Sequence, residues 1–380
     1  MTTTISRDTE MTALVCLVAV ILRLFLASLG ENYDMESWWL VSDLVVNHES
    51  VYANTHRYNY GPIWGALLGL CRYLSRQTGP DTIHRFHLFV AAALSVADLV
   101  GAFVIKRRYG LTAFSLFLLN PVSLLITGYH SQMDGIAIAL ALLFWDHFVY
   151  QSPSLRSAVT CGALLGLSLT AKHILLPFLP WLLVARRPIR SHFAFACIVS
   201  VIGFSLFLLS FLPWVFDPMS RAGIVANVLR YSSTEGASLI GLVRGSVSPF
   251  LSTFQLPLIE TRTVFLISLI LVGFGVRAFI RDWTLMLYVF LPSLVALSSG
   301  TQDQYLAIPI SAVAISLYGV SGACYLGIAT AALLVSGHNI GSLVGLPVVS
   351  PQEYPLFRAA QVAALALTLT LLNRRAPGAP

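Results

Sequence analysis

Charge is what this sequence has least of. Of its 380 residues only 11% are Asp, Glu, Lys or Arg, against 57% that are hydrophobic, whereas a soluble domain carries roughly 25% charged residues. That excludes an ordinary soluble globular protein. A glycine-rich phosphate loop is also missing, which argues against a nucleotide ligand. The five cysteines, Cys16, Cys71, Cys161, Cys197 and Cys324, sit singly in apolar stretches with no CxxC or CxxxC spacing. They suggest neither a zinc site nor a disulfide framework and read as small packing residues. No tandem repeat is visible, and no retention signal stands at the C-terminus. The first apolar run continues to Leu29 with no small-residue cleavage pattern, so it reads as an uncleaved span.

Apolar runs fill most of the chain. A bilayer crossing takes about 20 of them in succession, and spans are expected near 11–29, 84–104, 111–128, 135–150, 192–213, 261–280, 283–298, 304–320, 322–337 and 356–373. The stretch 157–185, interrupted at Lys172 and His173, is long for one crossing and short for two. Basic clusters at Lys106, Arg107 and Arg108, at Arg186, Arg187 and Arg190, at Arg277 and Arg281, and at Arg374 and Arg375 favour the cytoplasmic side. All of them fall there if 157–185 crosses twice and 61–78 lies in the outer interface, with Arg72 and Arg76 snorkelling to headgroups. The expected fold class is therefore an all-α polytopic membrane protein of about 12 transmembrane helices, one integral domain over 1–380. Both termini are then inside, and the polar segments 30–83, 129–134, 214–260 and 299–303 share the outer face.

The residues with chemical potential lie almost entirely in those segments. Asp34 and Glu36 follow the first span on an expected extended lead-in to an amphipathic interfacial helix. Two such acids can serve as a general base and its neighbour, as metal ligands, or simply as the solvated start of a helix. Tyr58, Tyr60 and Trp64 surround a Gly-Pro turn, where aromatic residues either anchor at headgroup level or meet a substrate. His130, Gln132 and Asp134 cluster between two apolar runs, beyond Asn120-Pro121. Polar groups at such depth mark a substrate path more often than not. Lys172, beside His173 and ahead of Pro177 and Pro180, needs a phosphate, a carboxylate or water. Arg221, Arg230, Tyr231, Glu235 and Arg244, with Ser and Thr between them, suit an anionic headgroup or a solvated loop. Gln302, Asp303 and Gln304 open a span, where an acid is favoured by the helix dipole alone.

Taken in order, these pieces resemble the GT-C membrane glycosyltransferases that use polyprenyl-phosphate sugars. The likeness is to the dolichyl-phosphate-glucose-dependent glucosyltransferases of N-glycan precursor assembly and the first mannosyltransferase of GPI-anchor synthesis. Asp34-Met35-Glu36 and Trp39 match the acidic motif after the first span, with Trp38 where the family has Arg. Val51-Tyr52 and Asn59-Tyr60-Gly61-Pro62-Ile63 echo two later motifs. Asn120-Pro121 and His130-Ser131-Gln132-Met133-Asp134 are the most specific match, with Asp134 replacing Asn. Lys172 resembles the family's lysine before a proline, while Gln302-Asp303-Gln304 stands where the family has His and Lys. The resemblance covers about residues 30–310.

It implies an inverting transfer of a hexose, mannose or glucose, from a polyprenyl-phosphate donor to a lipid-linked or glycan acceptor on the non-cytoplasmic face of a bacterial inner membrane or the endoplasmic reticulum. Asp34 would take the acceptor proton, with Glu36 beside it. Trp39, Tyr58, Tyr60, His130, Gln132, Asp134, Lys172, His173, Arg244, Gln302 and Asp303 would contact substrates. Lys172, His173, His130 and Arg244 would offset the departing phosphate. Nothing in the sequence calls for a cofactor, and dependence on a divalent ion stays open. The expected partners are the lipid bilayer, the lipid-phosphate donor and a glycan or glycolipid acceptor, with no nucleic acid. A transporter or lipid-linked-sugar flippase is the principal alternative, against which the two halves show no internal similarity. Glycan-to-protein transfer would need a peptide-recognition feature that is not apparent. A purely structural scaffold would not need the acid-rich loop.

Overall fold

The structure is a computed structural model, and it describes residues 7–185, 190–230, 238–243, 260–316, 319–336 and 355–374. Those residues are helical throughout apart from turns and loops. Five helices are long and apolar enough to cross a bilayer by length and composition: Arg7–Ser28, Ile83–Leu119, the apolar part of the helix around His192–Leu209, Thr261–Phe279 and Pro355–Leu372. Shorter apolar helices accompany them, so the chain is a multi-pass integral membrane protein.

Helix α1 (Arg7–Ser28) packs against α5 (Ile83–Leu119). Between them in sequence lie α2 (Tyr33–Val46), α3 (Val51–Asn54) and α4 (Pro62–Thr78). Asn32 caps α2 by accepting a hydrogen bond from the Met35 amide at 2.9 Å, and Pro62 opens α4 at its first position, where no amide is missed. α2 and α4 lie against each other. Arg72 and Arg76 of α4, expected to snorkel to headgroups, are held together by two carboxylates. They form ion pairs with Asp43 at 3.5 and 3.1 Å and with Asp81 at 3.0 Å each, because both carboxylates stand within reach of the same helix face.

The expected spans 84–104 and 111–128 are both present, as the two arms of α5, which turns at Gly110, whose φ of +82° is open to glycine and costly for other residues. The arms fold back on each other, with the rings of Phe103 and Phe114 5.4 Å apart. The second segment then ends early. Asn120 caps the short α6 (Pro121–Leu124) by accepting from the Ser123 amide, and a π-helical turn, Leu125–Tyr129, follows. α7 (Asp134–Tyr150) and α8 (Leu155–Ala171) pack side by side, and α10 (Arg190–Leu209) covers α8. Between α8 and α10 the chain breaks where the sequence suggests. Lys172 is extended, a 3₁₀ turn spans His173–Phe178, and α9 covers Leu179–Val184. Short helices α11 (Leu212–Val215) and α12 (Pro218–Gly223) precede α13 (Thr261–Phe279), α14 (Met286–Ala296), α15 (Ile310–Ser316), α16 (Val320–Val335) and α17 (Pro355–Leu372). The run expected as a span over 304–320 is divided into a 3₁₀ turn, Asp303–Ala307, and the seven-residue α15.

The two ends of α1, α5 and α7 differ chemically. At one end Lys106 donates to Asp8 and Thr12, while Arg108 and Arg107 pair with Asp146. The other end gathers the segments around 30–34, 87, 128–134, 172 and 303.

Candidate active site

Asp34 lies in the first turn of α2, with 31% of its side chain exposed. Its Oδ2 accepts hydrogen bonds from His130 Nε2 at 2.5 Å and from Gln132 Nε2 at 2.7 Å. Both donors come from the turn between the π-helical segment and α7, almost a hundred residues away. That turn passes through Ser131 at φ +52°, an unfavourable left-handed conformation for a residue with a side chain. Burial disfavours a charged imidazole at His130, but the Asp34 hydrogen bond and the charges of Asp34, Asp303 and Asp134 outweigh it, so His130 titrates above its ordinary 6.5. A protonated His130 holds the Asp34 carboxylate ionised and fixed in direction. His130 Nδ1 and Gln132 Oε1 are buried with no hydrogen-bond partner. In water each would be satisfied, so both are unspent polar groups beside a carboxylate that solvent reaches.

One helical turn deeper, Asp134 is fully buried and takes both its oxygens to Lys172 Nζ, at 2.8 and 2.7 Å. Lys172 stands at the break after α8, where the ammonium lies 5.5 Å from the ring centre of Tyr60 and 5.3 Å from that of Tyr305. Irregular backbone at membrane depth is tolerated where it is enclosed by protein or lines a cavity. Asp303 is buried and accepts from Ser336 Oγ at 2.5 Å, and Gln302 accepts from Gln304 at 3.3 Å. Segments 30–83, 129–134 and 299–303 therefore meet, as their shared polarity suggests, and Lys172 joins them. The described parts of 214–260 divide: Ser220 hydrogen-bonds Ser50 of the first loop at 2.6 Å, and Ser238 donates to the Ser298 carbonyl at 3.0 Å.

Other expected residues sit elsewhere. α2 begins at Tyr33, so the extended lead-in imagined for Asp34 and Glu36 is already helix. Residues two apart on a helix point about 200° apart, and Glu36 accordingly faces outward, 61% exposed, with Arg57 at 3.9 Å. The two carboxylates do not converge, either on each other or as a joint metal site. Trp39 lies beneath the Arg72 guanidinium and against Phe86; Trp38, its neighbour, is the one that packs on Tyr60 and Trp64. The Tyr58 hydroxyl is fully committed, donating to the Gly61 carbonyl at 2.6 Å and accepting from the Gly65 amide at 2.7 Å. It braces the Gly-Pro turn. His173 keeps a buried Nδ1 with no partner, and Arg244 lies outside the described residues. Among the described residues no group of three or more His, Cys, Asp or Glu is arranged to hold a metal ion.

Sequence reasoning passed over Arg23, Asp98 and His87. Arg23 Nη2 pairs with Asp98 Oδ2 at 3.1 Å and donates to Ser123 Oγ at 2.7 Å, while Thr127 Oγ1 donates to Asp98 at 2.7 Å. Arg23 and Asp98 are each a single ionisable residue inside an apolar run, and that alone is the signal that marks them; His87 follows His84 and Arg85 at the head of a run and carries no such signal.

By sequence, no family model matches the chain and no curated protein matches it. Solved structures do. ArnT from Cupriavidus metallidurans in the apo state is similar over 97% of this chain and 76% of its own, with a TM-score of 0.53 and 16% identity. The same enzyme bound to undecaprenyl phosphate is similar over 96% and 77%, at a TM-score of 0.50 and 16% identity. This chain has the GT-C fold. The archaeal oligosaccharyltransferase AglB from Archaeoglobus fulgidus, in complex with an inhibitory peptide and a dolichol-phosphate, is similar over 93% of this chain and 56% of its own, at a TM-score of 0.46 and 14% identity. At such identities the GT-C fold fixes the path of the chain, and the roles of individual side chains follow from their own geometry.

Proposed function

We propose that the chain is an inverting glycosyltransferase that moves a hexose, mannose or glucose, from a polyprenyl-phosphate donor to a glycan or glycolipid acceptor on the non-cytoplasmic face. The observation that carries this reading is Asp34: a partly exposed carboxylate, oriented by His130 and Gln132, in a chain whose fold is that of a protein crystallised with undecaprenyl phosphate.

The acceptor hydroxyl gives its proton to Asp34 as its oxygen forms a bond to the sugar C1. The bond from C1 to the phosphate oxygen breaks, its electron pair leaves on polyprenyl phosphate, and the configuration at C1 inverts. A carboxylate positioned for such a transfer contributes about 10²–10⁴-fold. Charge developing on the phosphate is met by Lys172, with His173 and Arg244 as further donors. Asp134 holds the Lys172 ammonium in place until the phosphate competes for it. Tyr60, Gln132, Gln302 and Asp303 are assigned to the sugar and acceptor hydroxyls, and Glu36, Trp39 and Tyr58 to shaping the first loop around them.

The test is transfer from radiolabelled polyprenyl-phosphate mannose and, separately, glucose into a membrane extract by the purified full chain. Labelled product from either donor supports the reading and names the sugar. No product from either, together with movement of labelled lipid between leaflets of a vesicle, would favour a flippase.

A further inference from the structure

Asp34 and His130 meet across two loops that share no secondary structure. One leads out of α1 through Gly30; the other leaves the π-helical turn through Gly128 and Ser131. A single imidazole spans them. His87, fully buried one turn into α5, has Nδ1 3.0 Å from the Gly30 carbonyl, and Nε2 3.0 Å from Ser131 Oγ and 3.2 Å from the Gly128 carbonyl.

We infer that His87 is a positioning residue that sets the distance between Asp34 and His130 by fastening the two loops that carry them to one rigid helix. The Nδ1–H tautomer satisfies the contacts to Gly30 and Ser131 and leaves the Gly128 carbonyl as a neighbour of Nε2 without a hydrogen bond to it. Nδ1–H donates to Gly30, and the Ser131 hydroxyl donates to Nε2. Ser131 is the residue at φ +52°, and its hydroxyl also lies 3.3 Å from the carbonyls of Thr127 and Gly128. The strained turn that aims His130 and Gln132 is thus held at the side chain of its most strained member. Without His87 the Gly30 carbonyl and the Ser131 hydroxyl lose their shared partner, and the 2.5 Å approach of His130 to Asp34 is braced from behind only by the long 3.5 Å hydrogen bond from the Asn32 side chain to the Tyr129 carbonyl. Gly128 adds to the constraint: any side chain there would press on the Arg23 backbone, so the loop approaches α1 too closely to shift alone.

The inference rests on the proposed role of Asp34 for its kinetic consequence and stands apart from it in a second readout. Full-length protein in detergent, labelled with ¹⁵N-histidine, reports the titration of His130 directly, assigned by comparison with His130→Gln. In the wild type His130 titrates above 6.5. In His87→Ala its midpoint is expected to fall toward 6.5 as the Asp34 contact loosens, and kcat to fall by up to about a hundredfold with the donor KM unchanged. His87→Asn retains a donor near Gly30, and His87→Gln a group near Ser131, so each recovers part of both effects.

A His130 midpoint unchanged in folded His87→Ala would overturn the inference, as would a loss confined to thermal stability. Should His87→Ala fail to fold, unchanged midpoints in both His87→Asn and His87→Gln overturn it equally. A wild type that transfers no sugar refutes the glycosyltransferase reading alone, because the titration still decides the role of His87.

Discussion

Two charged pairs lie within a few turns of each other, and they are built to opposite specifications. Arg23–Asp98 is closed: its side chains are 1% and 5% exposed, and Ser123, Thr127 and the Ala19 carbonyl take up the remaining valence except at Arg23 Nε, which has no partner and no solvent beside it. Asp34–His130 is open. Its carboxylate is 31% exposed, and a buried nitrogen on His130 and a buried oxygen on Gln132 have no protein partner. A buried charge that spends its bonds internally holds helices together, whereas one that leaves bonds unspent beside solvent is equipped to act on something else. Lys172–Asp134 stands between the two types, closed toward Asp134 and bounded by the rings of Tyr60 and Tyr305.

The closed pair is the place to break the fold. Asp98→Ala leaves the Arg23 guanidinium buried without its counter-charge, and a loss of about 3–5 kcal/mol is expected, read as a lowered thermal midpoint in detergent. An Arg23→Met/Asp98→Leu double variant should recover most of it, because no charge then remains unpaired. If Asp98→Ala melted like the wild type, the contrast between closed and open pairs would fail.

The intermediate pair should respond in function as well as in stability, because Lys172→Ala also leaves the fully buried Asp134 carboxylate without its counter-charge. Lys172→Ala is expected to raise the donor KM by about 10–150-fold, the worth of one charge-assisted hydrogen bond to phosphate, while acceptor KM stays near its wild-type value. An unchanged donor KM would remove Lys172 from the site.

Much of this arrangement was readable beforehand, and the reason is contrast. In an apolar background His130, Gln132, Asp134 and Lys172 stand out, and their outer-end positions imply convergence. What stayed hidden required a partner far away in sequence. Nothing local distinguishes Arg23 from a span-end arginine until Asp98, 75 positions on, is seen beside it. His87 is likewise indistinguishable by sequence from its neighbours His84 and Arg85 at the start of a span. The expected extended lead-in is helix instead because the cap, Asn32, lies one residue ahead of Tyr33 and so places both acids, Asp34 and Glu36, in the first turn, where they diverge. Gly110 shows the opposite case: a glycine between two apolar runs marks the turn, and the arms on either side fold back on each other there.

The open pair carries a pH signature. Because the folded pKa of His130 is raised, its pairing with Asp34 contributes stability in full below 6.5 and loses it as pH rises through the folded value. Transfer should therefore decline on the alkaline side, and in His130→Gln that limb should vanish while the remaining activity is low at every pH. A limb that persists in the variant would assign the titration to another group. Glu36→Gln should change transfer less than about fivefold, since an exposed pair with Arg57 contributes little; a loss comparable to that of Asp34 would return Glu36 to the centre of the site.

The central claim is that Asp34 accepts the proton. Single-turnover transfer from radiolabelled polyprenyl-phosphate sugar, measured for Asp34→Asn and wild-type protein at equal folded fraction, tests it most directly. Asparagine preserves the shape and an oxygen for His130 and Gln132 but cannot take the proton, so the rate should fall by about 10²–10⁴-fold in protein that still folds. Transfer at the wild-type rate by the folded Asp34→Asn protein would contradict it.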